Sequence, residues 1–123
     1  MRKILVVDDE PDVVELLRIF LNNIGYEADV FLSCEESMEA VLNNKYWAVL
    51  CDYMMPWATG DNLYYRIKEM DSELAKRFII ITGAVLNERL DEFIKKEGVR
   101  VINKPFKLEV LRNTLMELEK EMS

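Results

Sequence analysis

Histidine is absent from the 123 residues. That removes Ser-His and Cys-His catalysis, the usual zinc ligands and any phosphohistidine chemistry within the chain, and leaves carboxylates, Thr and Lys to carry whatever chemistry exists. Cysteine is scarce: Cys34 and Cys51 form no Cys-x-x-Cys pair, Cys51 sits in an apolar stretch, and both are expected to be reduced. No apolar run approaches the ~20 residues that cross a bilayer, and the N-terminus lacks the long uninterrupted apolar core of a secretory signal. The expectation is therefore no membrane insertion and a cytoplasmic location. Positive charge is in deficit, with 16 Lys and Arg against 23 Asp and Glu for a net −7, so direct contact with nucleic acid, which needs a basic footprint, is not expected.

What is present is a globular composition, 50% hydrophobic and 32% charged, without an internal repeat. At this length one domain, residues 1–123, buries roughly two-thirds of its unfolded surface around a single core. Short β-branched apolar runs alternate with longer segments of helical period. The expected strands are Lys3–Val7, Glu27–Phe31, Trp47–Cys51, Phe78–Ile81 and Val99–Ile102. Val13, Leu16, Leu17, Phe20, Leu21 and Ile24 mark a first helix, entered at Pro11 and stopped at Gly25. Ser33 to Glu36 reads as a capping box opening a second helix through about Asn43. Leu63, Ile67 and Met70 mark a third, and Leu90, Phe93 and Ile94 a fourth that ends near Gly98. Leu108, Leu111, Leu115 and Leu118 line a fifth, and all five stripes are read as core. Strand–helix repeats with short loops predict a parallel sheet covered by helices on both faces. Ligands in such folds sit beyond the carboxyl ends of the strands.

Those ends carry the chemistry. The first strand runs into Asp8-Asp9-Glu10, the third into Asp52, the fourth into Thr82-Gly83 and the fifth into Asn103-Lys104-Pro105. Like charges set side by side at the end of an apolar segment persist where a cation or a base offsets their repulsion. Two or three carboxylates with a backbone carbonyl and water form a hard oxygen site suited to Mg²⁺. Asp52, a lone acid after "WAVLC", is the candidate nucleophile for an aspartyl phosphate, with Mg²⁺ and Lys104 neutralising phosphoryl oxygens and Thr82 donating a hydrogen bond. Each residue also has a plainer reading. The acids serve as solvated loop residues, Thr82 as a cap, Lys104 as a surface cation, Gly60 as a turn residue and Pro56 as a loop stiffener. Glu10 is divided between metal partner and solvated acid. Trp57, Tyr64 and Tyr65 read as packing in preference to an exposed patch.

The stretches "ILVVDDEP" (4–11), "CDYMMPWATG" (51–60), "IIITG" (79–83) and "INKPF" (102–106), in that order at strand ends, resemble a response-regulator receiver domain of two-component signalling over residues 2 to 119. The resemblance implies a flavodoxin-like (βα)5 three-layer sandwich with strand order 2-1-3-4-5. It implies that Asp52 accepts a phosphoryl group from a histidine kinase or phosphotransfer protein. Asp9 then binds Mg²⁺ directly, Asp8 partly through water, and the main-chain carbonyl of Met54 completes the protein ligands. Thr82 takes a phosphoryl oxygen, Lys104 bridges to it, and the Lys104–Pro105 peptide is cis. The chain departs from the family at Val101, three before Lys104, where an aromatic residue usually swings inward. The signal is therefore expected to leave through the loop Gly83–Asn87 and the fourth helix instead, with Gly83 allowing backbone movement.

With no output module after the fifth helix, the chain is expected to be a stand-alone receiver or a segment of a larger protein. The stretch 81–106 is similar to receivers of hybrid histidine kinases. Mg-dependent self-phosphorylation and autodephosphorylation are expected, without enzymatic turnover, and a phosphorylation-dependent homodimer is a compatible outcome. Two alternatives stay open. A pseudo-receiver keeps the fold as an interaction module, although the acid set is intact. A small Asp-nucleophile phosphatase needs a second acid two residues after the nucleophile, where this chain has Met54. A flavin mononucleotide carrier of the same fold class needs a phosphate loop where this chain has acids.

Overall fold

The computed structural model describes residues 1–56, 58–83 and 87–122. Its elements are β1 (Arg2–Val7), α1 (Pro11–Asn23), β2 (Tyr26–Phe31), α2 (Cys34–Asn43), β3 (Ala48–Asp52), β4 (Met54–Met55), β5 (Ala58–Thr59), α3 (Gly60–Met70), α4 (Ser72–Ala75), β6 (Phe78–Thr82), α5 (Glu88–Glu97), β7 (Arg100–Asn103) and α6 (Leu108–Met122). The main sheet has five parallel strands in the order β2-β1-β3-β6-β7. Counted without the short antiparallel pair β4-β5, this is the expected 2-1-3-4-5 order. That pair and the single-turn α4, capped by the Asp71 carboxylate on Leu74 N–H at 3.1 Å, were not legible as separate elements.

The local signals explain where the helices begin and end. Pro11 opens α1 as its first residue, where a missing N–H costs nothing. Gly25, at φ +97°, turns the chain into β2. Ser33 caps α2 by accepting from Glu36 N–H at 3.3 Å. Gly98 ends α5 in the left-handed region at φ +68°, its N–H reaching Ile94 O at 2.8 Å.

Alternation along the strands divides the core in two. Leu5, Val7, Val49, Cys51, Phe78 and Ile80 join a cluster with residues of α2, α3, α4 and α5, while Ile4, Val6, Ala48, Leu50, Ile79 and Ile81 join one with α1 and α6. Two expected core positions are exposed. Leu16 is 53% exposed, because the buried face of α1 is set by Val14, Leu17 and Leu21, and Leu16 lies about 100° around the helix from its neighbour Leu17. Met70, at the last residue of α3, is 43% exposed. Among the described residues no helix is long and apolar enough to cross a membrane.

Strand ends differ from the expected bounds by a single residue, and this matters at the site. β3 runs through Asp52 and β6 through Thr82, so both are held inside the hydrogen-bonded ladder, with Asp52 opposite Ile81 and Thr82 opposite Asn103. Gly60 is not needed for a turn. It is the first residue of α3, and a Cβ there would meet Ile80 Cδ1 at 2.8 Å and both Asp52 O and Tyr53 Cα at 3.2 Å. Only glycine lets α3 come this close to the backbone at Asp52.

Candidate functional site

The carboxyl ends of β1, β3, β6 and β7 lie side by side in the sheet, and the side chains of Asp8, Asp9, Asp52 and Lys104 form one acidic pocket. Asp8 leaves β1 buried, its N–H bound to Phe31 O at 3.1 Å and its Oδ1 accepting Glu10 N–H at 3.0 Å. One carboxylate oxygen each from Asp8, Asp9 and Asp52 lie within 4.8 Å of one another. Lys104 enters from the end of β7, its N–H fixed to Thr82 O at 2.7 Å. Its Nζ stands 3.1 Å from Asp8 Oδ2, 3.7 Å from Asp52 Oδ2 and 3.8 Å from Glu10 Oε1. The Lys104–Pro105 peptide is cis.

The electrostatics follow from crowding. Burial, then the neighbouring Asp8 carboxylate, push Asp52 from 3.8 up to about 6, against the opposing pull of the Lys104 ammonium and the Met54 N–H. Burial alone works to lower Lys104, but its bond to Asp8 and the charges of Asp52, Asp8 and Glu10 outweigh it and raise the ammonium. Three carboxylates against one ammonium leave the pocket with two uncompensated negative charges. A divalent cation matches that deficit, and an all-oxygen donor set matches Mg²⁺. The residues present fit the metal.

Other expected site residues take varied places. Thr82 is buried at the end of β6. Met54 lies in β4, two residues past Asp52, with its side chain exposed. Gly83 is not in a conformation reserved for glycine, since a Cβ there would meet only Lys104 Cβ at 3.8 Å. Val101 is half-buried in β7 opposite Ile80, against the cluster beneath α2, α3 and α5. Glu10 precedes the first residue of α1 and is mostly exposed, at the rim of the pocket facing Lys104. Tyr64 is buried, edge-on to Phe78 and Phe93, and its hydroxyl donates to Glu97 at 3.1 Å. Tyr65 donates to the same carboxylate at 3.0 Å, so this pair packs α3 against α5. Trp57 and residues 84–86 of the expected output loop lie outside the described residues.

Beside Lys104 an apolar groove of ≈ 480 Å³ is lined by Leu16, Leu17, Pro105 and Phe106. Sequence reasoning passed over one further group. Asp61, in the first turn of α3, is 5% exposed and accepts from Arg89 Nε at 2.8 Å and Nη2 at 3.3 Å, as well as from Thr59 Oγ1. An acid in a first helical turn reads as a partner of the helix dipole, and nothing in the sequence announces an arginine 28 positions later as its mate.

Comparison with known proteins agrees with this geometry. RprY, a transcriptional regulatory protein of Bacteroides fragilis, is 32% identical over 109 residues, covering 89% of this chain and 45% of that protein. The response regulator ArlR of Staphylococcus haemolyticus is 28% identical over 116 residues, covering 90% and 49%. The chain thus spans about half the length of the curated relatives it matches. Among solved structures, the response regulator TrrA of Thermotoga maritima, in complex with Mg²⁺ and BeF, superposes with TM-score 0.82 at 27% identity over 96% of this chain and 99% of that one. A two-component response regulator of Clostridium difficile shares the fold, with TM-score 0.88 at 22% identity over 100% and 99%. The profile of the response regulator receiver domain matches residues 4–116, and with the strand order and the convergence of acids on Lys104 this makes the chain a member of the receiver domain family.

Proposed function

We propose that the chain is the phosphoacceptor of a two-component system, taking a phosphoryl group onto Asp52 from a histidine kinase or phosphotransfer protein. The observation that carries this reading is the gathering of Asp8, Asp9 and Asp52 around one lysine at the ends of buried strands. In the reaction, a carboxylate oxygen of Asp52 forms a bond to phosphorus as the phosphorus–nitrogen bond of the donor's phosphohistidine breaks. The imidazole leaves with the electron pair and takes up a proton.

Asp8, Asp9, Asp52 and the main-chain carbonyl of Met54 would hold Mg²⁺, which when bound supplies positive charge to the phosphoryl oxygens. Lys104, already held between Asp8 and Asp52, presents its ammonium to the arriving oxygens, and Thr82 donates a hydrogen bond from the neighbouring strand. β3 fixes Asp52 within the ladder, so the nucleophile needs little reorganisation. The apolar groove beside Lys104 suits the apolar side of a donor helix. With Met54 two residues beyond Asp52, no acid stands at the position from which a phosphatase's second catalytic carboxylate would drive rapid hydrolysis, and the chain acts as a switch without enzymatic turnover, in the cytoplasm.

The test is incubation with Mg²⁺ and acetyl phosphate followed by intact mass measurement. One added phosphoryl group, acid-stable, hydroxylamine-labile and absent in Asp52→Asn, is expected. Sustained hydrolysis of a phosphate ester without a trapped adduct would point to the phosphatase, and no adduct with any donor to an interaction module.

A further inference from the structure

Glu10 occupies the N-cap position of α1 without capping it. Its main chain is held on both sides, the N–H donating to Asp8 Oδ1 at 3.0 Å and the carbonyl accepting from Val13 and Val14 N–H at 3.1 and 3.2 Å. Its side chain makes no hydrogen bond to the helix, although this position favours a short side chain that would. The carboxylate faces Lys104 instead, with Oε1 3.8 Å from Nζ. Of the three acids around that ammonium, Asp8 and Asp52 also belong to the oxygen cluster that suits Mg²⁺, and Glu10 does not. Depth separates it from the nucleophile as well. The side chain of Asp52 is 9% exposed and that of Glu10 62%, yet Lys104 Nζ reaches both.

We propose that Glu10 selects among phosphoryl donors by the charge of the part that departs. Its carboxylate favours a donor whose departing nitrogen carries positive charge and opposes one whose departing oxygen becomes negative. The proposal rests on Asp52 being the phosphoacceptor. An oxygen of Asp52 approaches phosphorus from the buried side, so an in-line displacement sends the departing group outward, towards the mouth where Glu10 stands beside Lys104. With phosphoramidate, whose nitrogen is protonated at neutral pH, the phosphorus–nitrogen bond breaks and ammonia leaves with the electron pair. With acetyl phosphate the phosphorus–oxygen bond breaks and acetate leaves with it. A fixed negative charge at the mouth attracts the cationic nitrogen of the first donor as it enters and repels the acetate of the second as it forms. The same bias directs the chain towards protonated phosphoimidazoles and away from free acyl phosphates, through a residue that holds neither the metal nor the phosphoryl group.

The test compares phosphoramidate with acetyl phosphate on the unaltered chain and on Glu10→Gln, following initial rates of phosphoryl incorporation by intact mass at saturating Mg²⁺. The variant should take phosphoramidate more slowly and acetyl phosphate faster, each by about two- to fivefold, the weight of one exposed charge pair. The ratio of the two rates should therefore fall by about fivefold or more, and by less at high salt. Glu27→Gln, an equal loss of charge at an exposed position in β2, should leave the ratio unchanged. A role confined to holding Lys104 moves both rates by the same factor, so an unchanged or rising ratio in Glu10→Gln would overturn the proposal. Calorimetric titration gives a readout apart from phosphorylation: the Mg²⁺ affinity of Glu10→Gln should stay within about threefold of the parent's. A loss of about tenfold or more would place Glu10 in the metal site and overturn the proposal too. If neither donor labels the unaltered chain, the phosphoacceptor reading falls and takes the proposal with it, a result distinct from labelling at an unchanged ratio.

Discussion

Removing the charge of Asp52 should stabilise the metal-free protein, although it destroys the nucleophile. The carboxyl group is raised from 3.8 to about 6, chiefly by burial and by Asp8, and its side chain is only 9% exposed. At about 1.4 kcal/mol per tenfold change, this costs the ionised native state about 2–3 kcal/mol relative to the unfolded chain. The native state holds this proton more tightly than the unfolded state does, so unfolding releases it between pH 3.8 and about 6, and this group's contribution to stability falls as pH rises through that window. Asp52→Asn abolishes the contribution. The variant should therefore match the unaltered chain below about pH 4 and exceed it by about 2–3 kcal/mol above about pH 6.5. Urea unfolding in the presence of a chelator, repeated from acid to neutral pH, measures the difference directly. Other shifted carboxylates, such as Asp61, are common to both proteins and cancel in the comparison. A variant no more stable than the parent at neutral pH, or a difference that does not vary with pH, would refute the reasoning that crowding and burial strain this carboxylate.

The same geometry makes three further predictions. Mg²⁺ must displace the proton on Asp52, so its apparent affinity, followed by calorimetric titration, should fall by about tenfold per pH unit below about 6 and level off above it. Lys104→Met leaves Asp8 and Asp52 without their cation. It should cost about 1–3 kcal/mol in chelator, most of it recovered at saturating Mg²⁺, and unfolding with and without the metal compares the two. Gly60→Ala drives a methyl group against Ile80, Asp52 and Tyr53 and should destabilise by about 1–3 kcal/mol, while slowing phosphorylation of Asp52 by acetyl phosphate because the backbone of the nucleophile is displaced.

Much of the fold and pocket was readable because the signals were local. Pro11, Gly25, Ser33 and Gly98 each mark a helix boundary through their own backbone chemistry. The apolar runs fixed the strands to within one residue. The pocket was legible because its members all sit where such runs stop, and parallel strands with covered faces bring those stops to one edge. Features set by distant pairings were not legible. The burial of Asp61 depends on Arg89 arriving from another helix, and Gly60 resembles a turn glycine until Ile80 and the Asp52 carbonyl are seen against it. Leu16 satisfies the apolar pattern of α1 but faces the groove beside Lys104 and Phe106, because periodicity gives the width of a stripe and not its edge.

The central claim is that Asp52, and no other acid in the pocket, takes the phosphoryl group. Borohydride reduction of the acetyl phosphate–treated protein followed by peptide sequencing locates the acyl phosphate chemically. The account predicts reductive labelling at position 52 alone, dependent on Mg²⁺. Labelling at Asp8 or Asp9, or at no acid despite a measurable phosphorylated mass, would contradict it.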